Sequence, residues 1–372
     1  MGRVIIAGAG IVGLSTALSA RRAGFEVAVR ERAPRIRETG AVLGVWPHTI
    51  RELERLGLGP RLAEIKAERS FVRYRDFSGT EFATTGMPPA RTVHRARLSA
   101  LLASAVGEDD LRTGKELVDY VEDRDGVTVH YADGDHERAD LLVGADGLNS
   151  RVRAILNPGS GSRHQGGHHV WRAVLPFDGE LGEGCPVLGR DRTRGTLTRL
   201  ADGSCCWVIA QFGTSTSATM NSKEEALARV PNLHDGTWPF ALREAVLATP
   251  EDSVLHSRVA VVPAISRWAS GRVVLAGDAA HAMSPHIGSG ASLGIEDARV
   301  LGDCLGGAGI APALAAYQDD RLDRYRQVRR HANTMAAAPT PLSYVERFAA
   351  YLNWLHNSRT RPATCLPHPV RA

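Results

Sequence analysis

An α/β architecture is what this sequence predicts: a parallel sheet assembled from separated stretches of chain, a sheet-rich second domain inserted into it, and a helix at the C-terminus. Three observations carry the prediction. The first 30 residues read as strand, glycine-rich turn, helix and strand, the opening of a βαβ unit. Two later apolar runs, 141–144 and 272–276, each end at a tight turn of glycine and aspartate. Between them, from about 166 to 257, strand-like runs recur, as in a second, sheet-rich domain.

Taken in order, Val4, Ile5 and Ile6 make 3–7 a buried strand, and 11–23 follows as a helix with Gly24 placed to end it. The second strand is 26–30. Leu98, Leu101, Leu102 and Ala105 recur at helical spacing over 95–106. Residues 115–145 read as short strands with turns at Asp125-Gly126 and Asp133-Gly134. Runs at 170–175, 196–200 and 205–212 supply the inserted sheet. A helix begins near Gly290, and a long charged helix covers 311–338 until Pro339 and Pro341 break it. Residues 344–355, with Phe348, Tyr351, Leu352 and Leu355, read as an amphipathic helix that packs or makes a subunit contact. The expected organisation is a discontinuous nucleotide domain over 1–70, 92–165 and 258–338, a substrate domain over 71–91 and 166–257, and a helical tail over 339–372.

Composition narrows the class. The 372 residues are 43% hydrophobic and 23% charged, ordinary for a globular protein. The formal charge is +4, lysine occurs only at 66, 115 and 223, and the arginines are scattered, so nucleic acid is not an expected partner. No apolar run approaches the roughly 18 residues of a membrane span. The N-terminus enters a strand without the apolar segment of a signal peptide, so a cytoplasmic protein with no membrane partner is expected, as a monomer or homodimer. Cys185, Cys205, Cys206, Cys304 and Cys365 form no CxxC pair and are expected to be free thiols. His164, His168 and His169, in a glycine-rich stretch read as a loop, are the nearest approach to a metal cluster, and no metal is expected.

Gly8-Ala9-Gly10-Ile11-Val12-Gly13 lies between the first strand and helix, the Rossmann-like fingerprint. Gly8 makes the tight turn, Gly10 lets a pyrophosphate approach the backbone, and Gly13 lets helix and strand pack closely. The phosphates would meet the free N–H groups at the helix start. Glu31, eighteen residues beyond Gly13, ends the second strand, where a carboxylate accepts both hydroxyls of an adenosine ribose and disfavours the 2′-phosphate of NADP. This fingerprint alone does not separate FAD from NAD.

Two further motifs make the distinction. Leu141-Leu142-Val143-Gly144-Ala145-Asp146-Gly147 and Arg272-Val273-Val274-Leu275-Ala276-Gly277-Asp278-Ala279-Ala280-His281 follow the fingerprint in that order. Together with His94-Arg95-Ala96-Arg97-Leu98, Trp171-Arg172 and Met283-Ser284-Pro285, they resemble the flavoprotein aromatic hydroxylases of the para-hydroxybenzoate and salicylate hydroxylase type, over residues 1 to about 330. The stretch from Gly40 to Pro47 and Tyr74-Arg75-Asp76-Phe77 look closest to the flavin-dependent urate hydroxylase branch.

The resemblance implies a Rossmann-like FAD domain with an inserted substrate domain. It also implies an enzyme that reduces FAD with transiently docked NAD(P)H and delivers oxygen from O2 to an electron-rich ring through a flavin C4a-hydroperoxide. Glu31 would hold the ribose, Arg95 the phosphate–ribityl region, Asp146 the turn by the pyrophosphate, and Asp278 the ribityl chain. Pro285, Gly288, Gly290 and Ala291 would line the flavin, with the helix from Gly290 aimed at its pyrimidine edge, where the positive helix end favours the anionic reduced flavin. The hydroxylating species prefers an anionic substrate. His286 is the candidate base, with Arg194, on a substrate-domain strand, as the candidate cation. Trp46, Trp171 and Arg172 are candidates for the pocket wall, against core packing for the tryptophans and pairing with an acid for Arg172. The chain departs from urate hydroxylases at His286, Cys206, Ser289 and His48, which argues against urate itself. An FAD epoxidase, Baeyer–Villiger oxygenase or other FAD oxidoreductase shares the same cofactor motifs.

Overall fold

The computed structural model describes residues 2–36, 42–76, 79–179, 187–188, 192–213, 223–230, 241–307 and 309–358. The chain opens with β1 (Arg3–Ala7), α1 (Ile11–Arg22) and β2 (Glu26–Arg30). It continues through β3 (Val42–Val45), α2 (Pro47–Leu53), α3 (Gly59–Ile65), a long hairpin of β4 (Lys66–Arg75) and β5 (Glu81–His94), then α4 (Arg95–Val106). Next come β6 (Leu111–Arg112), β7 (Leu117–Glu122), β8 (Val127–Tyr131), β9 (His136–Ala139), β10 (Leu141–Gly144) and α5 (Arg151–Leu156). The inserted part holds β11 (Arg163–Leu175), β12 (Val187–Leu188), β13 (Thr193–Arg199), β14 (Cys205–Gln211), α6 (Lys223–Ala228), α7 (Leu242–Ala248) and β15 (Leu255–Val261). The chain returns through β16 (Val273–Leu275), α8 (Asp278–His281), α9 (Gly290–Leu305), α10 (Ile310–Ala336) and α11 (Pro341–Asn357).

Five strands form a parallel sheet in the order β16-β10-β1-β2-β6. Its register sets Ala7 beside Gly144 and Arg30, and Gly144 beside Leu275. All strands run one way, so their carboxyl ends share one edge, where Gly8, Glu31, Ala145 and Ala276 emerge side by side. Helix α9 crosses α1 very closely. A Cβ on Gly294 would stand 2.4 Å from Val12 Cγ2, and one on Gly302 2.8 Å from Ser19 Cβ, so only glycine allows that approach.

The second sheet has eight strands, β15-β11-β14-β13-β12-β4-β5-β3, and is wider than expected. It takes in β3, all of β4 and β5, and β15, so its membership crosses the expected boundaries at 70, 92, 166 and 258. Side chains alternate across it. Trp171, Leu197, Trp207 and Ile209 form a core on one face with residues of α6 and α7, such as Ala226 and Val246. Arg172 and Arg194 point to the other face. Strands β7, β8 and β9 make a small antiparallel sheet.

Several expectations need correction. Cys304 is disulfide-bonded, while Cys205 and Cys206 are free and buried. Bridge formation depends on which thiols the fold brings together, and spacing along the chain does not show that. His164, His168 and His169 lie in β11, not in a loop: β15 pairs at Arg163 and His164 and again from His169, with an irregularity between, and β14 pairs from His169 onward. The C-terminal helix was expected to pack or to make a subunit contact, and the packing is what the structure describes. It packs on α10 and β5 of its own chain and buries Tyr344, Tyr351 and Leu352.

Candidate active site

A groove of about 690 Å³ opens at the carboxyl edge of the parallel sheet, lined among others by Gly8, Gly10, Glu31, Asp146, Arg151 and Lys115. Each wall follows from local structure. Gly8 takes φ +103°, and a side chain there would strike the Ala145 carbonyl at 2.5 Å. A Cβ on Gly13 would lie 1.9 Å from the Gly8 carbonyl oxygen. A Cβ on Gly10 would meet nothing, because it faces the open groove. Gly10 is also the N-cap of α1 and supplies no side-chain cap, so the first N–H groups of the helix are left for an anion. The Glu31 carboxylate stands beside this turn and accepts from the Ala9 N–H at 2.8 Å and the Ala33 N–H at 2.9 Å.

Asp146 Oδ2 accepts from the N–H groups of Arg151 and Val152, while Oδ1 is buried without a hydrogen-bond partner. Burial pushes this carboxyl above its ordinary range despite those bonds. Buried Arg153 ties the second motif to the third, donating to the carbonyls of Leu148 and Ala279 at 2.7 and 3.0 Å. Asp278 begins α8 after Gly277, whose φ is +62°, and its Oδ1 lies 3.9 Å from where a Gly290 side chain would start. Gly10, Asp146 and Asp278 are thus brought to one edge, with the start of α9 beside the last. Beneath them lies a buried charge network. Asp297 accepts from the Gly277 N–H at 2.8 Å and from Arg321 at 2.7 Å, and meets His281 at 2.6 Å. Glu296 meets Arg321 and, at 2.7 Å, His48. Burial alone would raise both carboxyls, and these partners more than offset it and lower them.

His94 caps α4 through Nδ1 and sets Arg95 at the first helical position. Half-buried Arg172 lies close enough to Arg95 for partial burial and the like charge together to lower its pKa. Arg194 is half-buried, its guanidinium against the ring faces of Phe212 and Tyr344, 4.8 Å from each centroid, and it donates to the Tyr344 hydroxyl. Burial brings its pKa down to about 10, which leaves it charged at neutral pH. Trp46 is buried and donates from Nε1 to Ser289 Oγ at 3.1 Å. Trp171 is fully buried in the core under α6 and α7, stacked on His169 and His256, on the opposite sheet face from Arg194. Its expected place in the pocket wall is therefore withdrawn, because strand alternation points it away. Pro285 and Gly288 belong to a one-turn segment leading into α9, and Ala291 lies in the first turn of that helix. The His286 side chain, Gly40, Ala41 and Phe77 lie outside the described residues.

Sequence reasoning missed Tyr344, Phe212, Arg153, Asp297, Arg321 and the role of Ser289. Only the seven-residue spacing of Tyr344 and Tyr351 on one helix face signalled that α11 presents a polar row inward.

FAD fits these residues. The groove offers a ribose acceptor, an uncapped helix end and an open glycine for the pyrophosphate, and the buried Asp146 oxygen awaits a donor. The comparisons agree. The FAD binding domain model matches residues 1–334. The chain is 32% identical to an aurachin C monooxygenase/isomerase of Stigmatella aurantiaca, covering 86% of this chain and 85% of that one. It is 33% identical to the 3-amino-4-hydroxybenzoate 2-monooxygenase PtmB3 of Streptomyces platensis, covering 89% and 86%. The crystal structure of Klebsiella pneumoniae HpxO complexed with FAD and uric acid superposes with a TM-score of 0.82 at 26% identity, covering 94% of this chain and 92% of that one. By sequence, fold and groove alike, the chain belongs to the FAD binding domain family and is an FAD-dependent oxidoreductase of the aromatic-ring monooxygenase kind.

Proposed function

We propose that the chain hydroxylates a small, flat aromatic or heteroaromatic substrate held as an anion against Arg194. One observation carries this reading: a half-buried guanidinium lies against two aromatic faces on the sheet face opposite the Trp171 core. A cation flanked by flat apolar walls recognises a flat anion, because the rings contribute stacking and the charge selects for negative oxygen. Bound FAD supplies O2 activation with electrons taken from NAD(P)H.

The protein's own part is placement. Glu31, Gly10 and Asp146 seat the dinucleotide end. Arg95, Asp278 and the 285–291 segment seat the rest, with Arg172 adding positive charge beside Arg95. His286 is the proposed base that keeps the substrate ionised. The compounds named for two similar proteins, an aminohydroxybenzoate and uric acid, are flat and carry ionisable groups.

The test is a screen of hydroxybenzoates, hydroxypyridines and purines for stimulation of NAD(P)H oxidation, with 18O2 label followed into product. Arg194→Met should raise KM for any active compound at least about 100-fold, some 2.7 kcal/mol, with FAD still bound. Unchanged KM in that variant would remove Arg194 from substrate binding.

A further inference from the structure

Ser289 is the N-cap of α9, a position where serine ordinarily turns its hydroxyl back to accept from the second or third helical N–H. Here it makes no such bond. Its Oγ donates to the Ile287 carbonyl at 3.2 Å, accepts from Trp46 Nε1 at 3.1 Å, and is hydrogen-bonded to the Tyr351 hydroxyl. A serine hydroxyl has one hydrogen and two lone pairs. With the hydrogen on Ile287, the other two partners must both donate, and the hydroxyl is saturated. Tyr351 is fully buried, and burial, partly offset by this bond, pushes its phenol up to about 12, so it holds its proton at neutral pH. The contacts join three distant parts of the chain: the end of β3, the start of α9, and α11.

We propose that Tyr351 is a positioning residue which, with Trp46, holds the Ser289 hydroxyl away from the start of α9 and so keeps that helix end uncapped for the flavin. This rests on the reading that the α9 N-terminus faces the flavin. An uncapped end keeps its N–H groups and positive potential for the negative charge that reduction places on the flavin ring. Without the Tyr351 hydroxyl, Ser289 is free to rotate and cap α9 itself, in competition with the flavin. The C-terminal helix thereby becomes part of the redox site.

The experiment measures the flavin midpoint potential of FAD-loaded full-length variants by dye equilibration. Tyr351→Phe keeps the ring and should lower the reduced-to-oxidised ratio at fixed potential about fivefold, or about 20 mV at roughly 30 mV per tenfold for a two-electron couple. Ser289→Ala in the Tyr351→Phe background should restore the potential, because the competing cap is gone. An unshifted potential in Tyr351→Phe, or a fall that persists in the double variant, overturns the proposal. Gly290→Val serves as the control for the underlying reading. If it leaves FAD affinity and potential unchanged, the flavin does not face α9 and that reading fails. If it changes them while Tyr351→Phe does not, only the Tyr351 proposal fails.

Discussion

Gly10 and Gly13 stand three residues apart and meet different demands. At Gly13 an added methyl would press on the Gly8 carbonyl at 1.9 Å, so α1 would have to leave β1. Gly13→Ala should cost about 3 kcal/mol of folding stability or more in chemical denaturation of the FAD-free protein. At Gly10 the backbone has an ordinary φ of −72° and a methyl meets nothing. Gly10→Ala should change that stability by less than about 0.5 kcal/mol, yet weaken FAD at least tenfold, since the methyl occupies the phosphate's approach. Equal FAD titration curves for Gly10→Ala and the unaltered protein would remove the phosphate from this turn. The close packing at Gly13 and the open turn at Gly10 were legible in the sequence, because the geometry of a βα turn is local. The Ser289 contacts were not, since Trp46 and Tyr351 lie 243 and 62 residues away and only the closed fold brings them together.

At the scale of elements, the small β7-β8-β9 sheet is fastened to the parallel sheet beneath the groove. Arg30, the last residue of β2, is almost fully buried and forms a two-pronged pair with Glu137 of β9 at 2.6 and 2.8 Å. Arg3 of β1 adds a third contact at 2.7 Å. Burial pushes the Glu137 carboxyl up, but Arg30 and Arg3 more than offset this and hold it at about 2, against an ordinary 4.5. A depressed carboxylate stabilises the fold above its unfolded pKa and loses that contribution as pH falls through the folded value. Glu137→Gln should therefore cost roughly 2 kcal/mol at neutral pH, where it strands a buried guanidinium. The gap from the unaltered protein should close between about pH 4.5 and 2. A gap that persists undiminished at pH 2 would show that packing, not charge, holds the hairpin.

Elements with local signals, β1, α1, β2 and α4, lie where the sequence placed them. The wide reach of the second sheet did not show, because β3 joins through β5 and β12 joins β4 in parallel across more than a hundred residues. Pairing at such separation leaves no periodic trace.

For the whole molecule, the cofactor is the piece that several layers share. The groove proposed for its adenylate end is lined by residues at the ends of β1, β2 and β10 and by 115–118, which lead into and open the small sheet. Its other end is assigned to Arg95, Asp278 and α9, where the parallel sheet meets the eight-stranded one. A ligand bound by the folded state alone stabilises it by mass action, about 2.7 kcal/mol at a hundredfold excess over Kd. Adding FAD to cofactor-free protein should thus raise the thermal midpoint by a few degrees, with the rise growing with the logarithm of FAD concentration. FMN carries the same isoalloxazine and ribityl chain but lacks the adenylate that Glu31 and the α1 N-terminus are placed to hold. At equal concentration it should give a clearly smaller rise. In the Gly10→Ala variant the FAD response should fall toward the FMN response, since the defect lies in the half that FMN lacks. FMN and FAD shifting the midpoint equally would mean that the groove over β1 and β2 does not seat the adenylate, and the assignment of Glu31, Gly10 and Asp146 would fall with it.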